Sequence, residues 1–389
     1  MNLAVDLFVF SSGLILYVLF GYPVLLALYA RLAPRSVRRA YIPRSLSIVI
    51  PVRNGARWIE SKLDSLLESD YPPELIRVLV VSDGSTDGTN ELVARYPDAR
   101  VSLIALPPGG KATAVNRGIE LASSEIIVLT DVRQRFDREA LSHLASCFAD
   151  PQVGVVTGEL VIREGLSKEE FNTGLYWRYE KWIRKNLNRI DAMLGATGSI
   201  YAIRRELADP MPANTLLDDV YVPFSVVSKG YRIYFDDQAR AYDLPTSLHS
   251  EFWRKVRTQA GVYQITFSFP NLLWPGNRRC THWVSHKIGR LLLPFALVTI
   301  AVTSFWLPKP LRTVAIGGQA VFYCLAACDR FVWETNPLKR VTGVLRTFVV
   351  LVAAALCALA VFALPAQRLW KETRVNSPRH VPKPDEVAR

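Results

Sequence analysis

Apolar positions divide this chain into two kinds of pattern. Long apolar blocks lie toward its ends: Leu7 to Leu32 first, then Leu291–Trp306, Val314–Trp333 and Thr342–Leu364. A helix needs about 20 apolar residues to cross a bilayer core, so these blocks predict membrane crossings. Leu291–Trp306 is the shortest and contains Pro294, which fits either a full or a partial crossing. Between Ser45 and Leu273 the runs are short. Strand-like segments at Leu46–Pro51, Arg77–Ser82, Val101–Leu106, Ile126–Thr130 and Val153–Thr157 alternate with helically spaced ones. The helical spacings fall at Ala56–Leu67, from Thr86, at Lys111–Ala122 and at Arg138–Phe148, with a later helix at Asp219–Val227. That alternation predicts an α/β domain with a mostly parallel sheet and helices on both faces.

Composition sharpens the division. The chain has 389 residues, 50% of them hydrophobic, and a net charge of +12. That hydrophobic share excludes a disordered or collagen-like chain. Five Cys without paired spacing exclude a disulfide-stapled scaffold. Residues 45–277 hold 26 of the 47 basic and 29 of the 35 acidic side chains, leaving 21 basic and 6 acidic for the flanks. The positive excess therefore belongs to the membrane-flanking segments, which argues against a nucleic-acid partner. Arg31, Arg35, Arg38, Arg39 and Arg44 follow the first block, and Arg278, Arg279, Lys287 and Arg290 precede the second. The positive-inside rule then puts the N-terminus outside and the central domain in the cytoplasm. Few ionisable residues lie in the blocks, which argues against a transporter.

In open α/β sheets ligands gather at the carboxyl ends of strands. There the sequence has Pro51, Arg53 and Asn54, then Asp83, Gly84, Ser85 and Asp87, then Asp131. No dinucleotide fingerprint or Walker-type loop is present. Gly109-Gly110-Lys111 opens a helix, where backbone N–H groups and an ammonium can meet an anion. Taken singly, Asp83 or Asp131 reads as a cap or turn residue. Together, at neighbouring strand ends, one can accept from a base or ribose and the other can hold magnesium or manganese on a diphosphate.

These residues resemble the family 2 glycosyltransferases of GT-A fold, most of all the membrane-embedded branch with cellulose, hyaluronan and poly-N-acetylglucosamine synthases. Five motifs in order carry the resemblance: Ile50–Asn54, Val80–Thr89, Gly110–Asn116, Ala196–Ser199 and Leu217–Asp219. It implies a Rossmann-like nucleotide-diphospho-sugar transferase domain with transmembrane helices. By the same implication Pro51, Arg53, Asn54, Asp83 and Ser85 hold the nucleotide, and Lys111 approaches the diphosphate or ribose. Asp131 matches the first Asp of a metal-binding D-x-D, for Mg2+ or Mn2+. Thr197, Gly198 and Ser199 line the acceptor side, with Arg254 and Arg257 at the place of Q-x-x-R-W. Asp219 matches the base that ends T-E-D, and Asp218 replaces its Glu. An inverting transfer needs such a base, together with positive charge at the leaving diphosphate.

Two positions depart from that pattern. Arg133 stands where the second Asp of D-x-D would be; a guanidinium cannot ligate a cation but can neutralise phosphate directly. Arg254-Lys255-Val256-Arg257-Thr258 keeps the Arg of Q-x-x-R-W and lacks its Gln and Trp, which favours single transfer over polymerisation. The expected layout is a membrane helix with basic flank (1–44), a cytoplasmic GT-A domain (45–262), an interfacial segment (263–290), membrane helices (291–365) and a polar tail (366–389). Aromatic and basic residues mix in two groups, Phe171 to Lys185 and Phe252 to Phe269, which fit a bilayer interface or a packed helix. Trp370–Arg374 resembles the branch's cytoplasmic tail motif. Four full crossings from an outside N-terminus would put that tail outside, and a partial crossing would reconcile the two. The leading expectation is a multi-pass transferase of the inner or plasma membrane, moving a sugar from a UDP-sugar to a glycan or lipid-linked acceptor. Single transfer to a polyprenyl phosphate, or an inactive nucleotide-binding subunit of an export complex, stand as alternatives.

Overall fold

A computed structural model describes residues 3–162, 168–244, 247–333 and 336–369, with the side chains of 168–176 and 367 outside the description. The tail motif at Trp370–Arg374 and the side chains of Phe171 and Tyr176 fall outside it. Along the chain, α1 (Leu3–Leu16) and α2 (Tyr22–Leu32) lead to β1 (Leu46–Val52) and α3 (Ile59–Leu67). Next come β2 (Ile76–Asp83), α4 (Thr89–Ala94), β3 (Val101–Leu106), α5 (Lys111–Leu121), β4 (Ile126–Leu129) and β5 (Arg135–Phe136). They are followed by α6 (Ala140–Ser146), β6 (Val153–Ile162), α7 (Lys168–Arg189), β7 (Tyr201–Arg204), α8 (Asp218–Ser228) and β8 (Arg232–Asp243). The last helices are α9 (Leu248–Ser268), α10 (Cys280–His282), α11 (Gly289–Thr303), α12 (Leu311–Cys328) and α13 (Leu338–Cys357). These elements form two compact units that interleave in sequence.

The sheet unit contains eight strands in the order β3-β2-β1-β4-β7-β6-β8-β5. β1 lies parallel between β2 and β4, and β3 continues the parallel half. β7 then enters antiparallel between β4 and β6, while β6 pairs parallel with β8 and β5 antiparallel with β8. The sheet is thus mixed where a mostly parallel one was expected. The sequence pattern missed β5, β7 and β8. β5 and β7 are too short to show a period, and β8 carries Asp236, Asp237 and Gln238 in mid-strand.

The centre of the sheet is dry. Ile48, Val49, Ile50, Val78 and Val128 are fully buried, which matches strands covered on both faces. On one face α5 lays Ala112, Ala114, Val115, Gly118 and Ile119 toward the sheet. Gly118 is there because a Cβ would stand 2.2 Å from a Val49 methyl. That close approach fixes how near Lys111, at the other end of α5, comes to the strand ends.

Among the described residues the second unit contains four helices long and apolar enough to cross a membrane: Leu3–Leu32, Cys280–Trp306, Leu311–Phe331 and Leu338–Phe362. The block with Pro294 is therefore part of a 27-residue helix, long enough for a full crossing. Its first part looked polar in sequence because Lys287 and Arg290 interrupt it. Glu180 of α7 pairs there with Arg290, and with His286 at 3.5 Å. Burial alone would raise the Glu180 carboxyl, but Arg290 and His286 hold it well below the usual carboxylate range. α1 packs along α11, and α9 along α13. Asp329, to which the sequence assigned no role, closes the α12–α13 hairpin by accepting from Thr342 at 2.7 Å and from Lys339 and Arg346 at 3.2 Å.

Replacing Gly118 by Ala tests the α5–β1 contact. Ala gains about 1 kcal/mol of helix propensity. Overpacking costs about 1–3 kcal/mol, and neither the Val49 methyl nor the strand behind it has room to give. Gly118→Ala should therefore lower the thermal unfolding midpoint of the purified protein; an unchanged or higher midpoint would show that the helix shifts freely.

Candidate active site

The carboxyl ends of β1, β2 and β4 face one edge of the sheet unit, and loops converge there. After β1, Asn54 adopts a left-handed conformation (φ 53°). Its side-chain oxygen accepts from Thr86 N at 2.9 Å, and its own N–H donates to Ser85 Oγ at 3.1 Å. Asp87 accepts from Ala56 N at 2.9 Å and from the Thr89 hydroxyl. Burial acts to raise the Asp87 carboxyl, but these hydrogen bonds outweigh it and hold the group below its ordinary value. Asn54 and Ser85, expected to touch a nucleotide, thus tie the β1 loop to the β2 loop. Arg53 stands exposed beside them, and Pro51 lies within β1, paired with Val81.

Asp83 ends β2 and is 5% exposed. One carboxylate oxygen accepts from Gly109 N at 2.6 Å and Gly110 N at 3.0 Å, and the other from Gly110 N at 3.1 Å. Gly110 takes a φ of +89°, open mainly to glycine. Two of the backbone N–H groups expected to meet a phosphate, those of Gly109 and Gly110, are therefore already bound to a side chain. Asp83, expected to hold the base, is the anion that the start of α5 receives.

One residue later the same helix brings in Lys111. Its Nζ lies 2.8 Å from Asp131 Oδ1, after β4, and 3.1 Å from Asp218 Oδ2, the first residue of α8. Burial alone would lower this ammonium's pKa, but Asp131, Asp218 and Asp219 outweigh it and raise the value above that of an ordinary lysine. Asp218 is 6% exposed, whereas Asp219 is only partly buried. Asp219 Oδ2 accepts from Gly198 N at 3.2 Å, and its carbonyl accepts from Ala196 N at 2.7 Å. A Cβ on Gly198 would stand 3.3 Å from that carboxylate oxygen. The segment Thr197–Ser199 and Asp219 are therefore brought together, as expected. Thr197 N donates to Thr157 Oγ1 at 2.8 Å, and Thr130 Oγ1 donates to Ser199 O at 2.6 Å.

Sequence reasoning missed two groups here. Lys62 of α3 is fully buried, and its Nζ donates to Thr130 Oγ1 at 2.7 Å and Gln134 O at 2.6 Å. It braces the loop that carries Asp131 from behind, and burial holds its pKa well below that of an ordinary lysine. Its place in the apolar spacing of α3 concealed it. Tyr201 of β7 is also fully buried; burial, then the charges of Asp218, Asp219 and Asp131, push its phenol well up. It lies beneath the carboxylates, on a strand too short to recognise.

Arg133 is not turned toward a phosphate. Its Nε and Nη2 donate to the two oxygens of Asp243 at 2.8 and 2.6 Å, and Gln134 Nε2 adds a third bond at 2.8 Å. The Asp243 side chain is 4% exposed and that of Arg133 17%, so the fork is a partly buried ion pair whose carboxylate is the buried partner. For a divalent cation the chain offers hard oxygens and a negative balance, with three carboxylates around one ammonium. Among the described residues no group of three or more His, Cys, Asp or Glu could hold an ion by itself. Asp131, 39% exposed at its side chain, has the hard oxygens that could meet an ion carried on a diphosphate. Magnesium is commonly bound in that manner, by one or two carboxylates and substrate phosphates. Arg254 and Arg257 stand on α9 in the membrane-helix unit. There Arg254 pairs with Glu251 at 2.5 Å and lies 4.7 Å over the Trp177 ring.

Residues 47–210 match the family model described as glycosyl transferase family 2. A poly-beta-1,6-N-acetyl-D-glucosamine synthase of Staphylococcus aureus is 24% identical over 228 residues, 57% of this chain and 55% of that protein. The chain thus spans about half the length of these synthases. An N-acetylglucosaminyltransferase of Rhizobium meliloti is 28% identical over 309 residues, 72% of this chain and 71% of its own. Among solved structures, the mannosyltransferase PcManGT from Pyrobaculum calidifontis, in complex with GDP-Man and Mn2+, superposes with a TM-score of 0.68 at 22% identity. The match covers 90% of this chain and 99% of that one, and it establishes a shared GT-A fold.

The fork gives a direct test. Arg133→Met leaves the buried Asp243 carboxylate without its counter-charge, held only by the neutral donors Gln134 Nε2 and Leu244 N, which should cost about 3–5 kcal/mol. Adding Asp243→Asn removes the stranded charge, so the double variant should unfold at a higher temperature than Arg133→Met. If the double variant is instead the less stable of the two, Arg133 and Asp243 are not coupled as described.

Proposed function

We propose, from the premise that residues 47–210 are a family 2 glycosyltransferase domain, that this chain is an inverting transferase. It moves a sugar from a UDP-sugar to a hydroxyl of a glycan or lipid-linked acceptor. The observation that carries this reading is the pairing of Lys111 with Asp131 and Asp218, with the next residue, Asp219, held by Gly198 N–H. Asp219, the more exposed of the adjacent pair, takes the acceptor proton as the hydroxyl oxygen attacks the anomeric carbon. The bond from that carbon to the phosphate oxygen breaks, and the nucleoside diphosphate leaves with the electron pair. Lys111, anchored by buried Asp218, presents positive charge to the departing diphosphate. A Mg2+ or Mn2+ ion on Asp131 would supply further charge stabilisation there. Thr197 and Ser199 flank the acceptor side of the base.

The four apolar helices and the basic flanks support a multi-pass protein of the inner or plasma membrane with the sheet unit in the cytoplasm, where nucleotide sugars are made. The two relatives are a poly-N-acetylglucosamine synthase and an N-acetylglucosaminyltransferase, which makes an N-acetylglucosamine donor the first to try. The missing Trp of Q-x-x-R-W favours transfer of one sugar to a lipid; product length separates the outcomes, since a polymerase yields a ladder.

The decisive variant is Asp219→Asn. UDP release from the productive UDP-sugar should fall by about 10²–10⁴-fold while UDP binding persists. Full turnover in that variant would remove Asp219 from the role of base. UDP binding without release from any donor would favour the inactive-subunit alternative.

A further inference from the structure

We propose that the Lys111 ammonium keeps the Asp131–Asp218 pair closed to divalent cations in the free protein, so that metal binds only together with a diphosphate. This rests on the reading of the cleft as a nucleotide-sugar site, but its central observation is local. Nζ bridges two carboxylates at 2.8 and 3.1 Å, one partly exposed and one buried. A divalent cation entering at Asp131 would stand in contact with a unit positive charge, a repulsion that the partly dry site screens poorly. It would gain Asp131 alone while the ammonium keeps Asp218, because position 133 carries a guanidinium already forked onto Asp243.

The surroundings hold this arrangement in place. The loop bearing Asp131 is braced from behind by Lys62, through Thr130 Oγ1 and Gln134 O, so the carboxylate does not drift from the ammonium. The backbone N–H groups of Gly109 and Gly110 are bound to Asp83, so the Lys111 ammonium is the charged group at the start of α5 that answers an incoming anion. A lysine is suited to that exchange. Its ammonium is a point charge on a flexible stem, able to turn from one anion to another. A diphosphate draws the ammonium from Asp131 and supplies the oxygens that one carboxylate lacks. Lys111 then keeps Asp218 as its anchor. Two functions follow from one residue: the free site rejects stray cations, and metal and nucleotide bind as a coupled pair. Coupling of this kind is reciprocal, so each ligand should raise the affinity of the other by the same factor.

The test is a Mn2+ titration of the full-length protein in detergent, followed by the electron paramagnetic resonance signal of free Mn2+. It is run with and without saturating UDP. The unsubstituted protein should bind Mn2+ at least about tenfold more tightly with UDP than without it. Lys111→Met and Lys111→Gln should bind Mn2+ without nucleotide at least about tenfold more tightly than the unsubstituted protein, and the gain from UDP should shrink. Lys111→Arg, which keeps the charge, should still exclude the ion, and Asp131→Asn should abolish binding in every background. Equal Mn2+ affinity with and without UDP would overturn the proposal, as would nucleotide-free binding unchanged in both neutral variants. A protein that binds no UDP by calorimetry defeats the nucleotide-sugar reading instead, and the nucleotide-free comparison of the Lys111 variants still decides the inference.

Discussion

The contact on which the cleft depends is the ammonium of Lys111 between Asp131 and Asp218. Three acidic side chains arrive there from two separated stretches of chain, the end of β4 and the start of α8. Like charges at such spacing oppose one another, and a partly dry cleft screens them poorly. One positive charge at their centre turns mutual repulsion into a joint. It also links the helix after β3, the strand end of β4 and the first turn of α8. The dipole at the start of α8 favours its two acids in the same sense.

Around that joint, polar groups are spent on holding loops rather than left open. Asp83 receives the N–H groups of Gly109 and Gly110, Asn54 receives Thr86, and Asp87 receives Ala56. Lys62 does the same for the Asp131 loop from within the core. The buried bonds of Lys62 answer acceptors that would otherwise be costly to bury. The result is a rigid rim in which Asp219 and Arg53 retain exposure. That division suits chemistry in which most residues hold a geometry and few touch the reacting atoms.

Much of this was legible before any coordinates. The runs around Ile50, Val80 and Val128 marked the central strands because strands buried on both faces must be apolar throughout. The acids at 83, 131 and 219 stood out because they end strands or open a helix. Arg133 was legible as a departure from D-x-D, but its partner Asp243 lies 110 residues away, and no local pattern connects them. Lys62 was hidden for a different reason: in a helix it sits where the spacing calls for an apolar residue, and its long stem fills that place. Short strands such as β7 carry too few residues for a period of two to emerge.

The sequence by itself determined which segments are apolar enough to enter a membrane, where the strands of the parallel half run, and which acidic and basic residues stand at their ends. Those are local properties, set by hydrophobic run length, spacing and the residues that interrupt them. Tertiary structure alone decided what each polar group faces. It turned Asp83 onto the glycine loop, committed Arg133 to Asp243, and extended the Pro294 block into a full-length helix. It also set Lys111 between two carboxylates. Charge pairing depends on distance in space, and the folded sheet brings together residues that the chain keeps far apart.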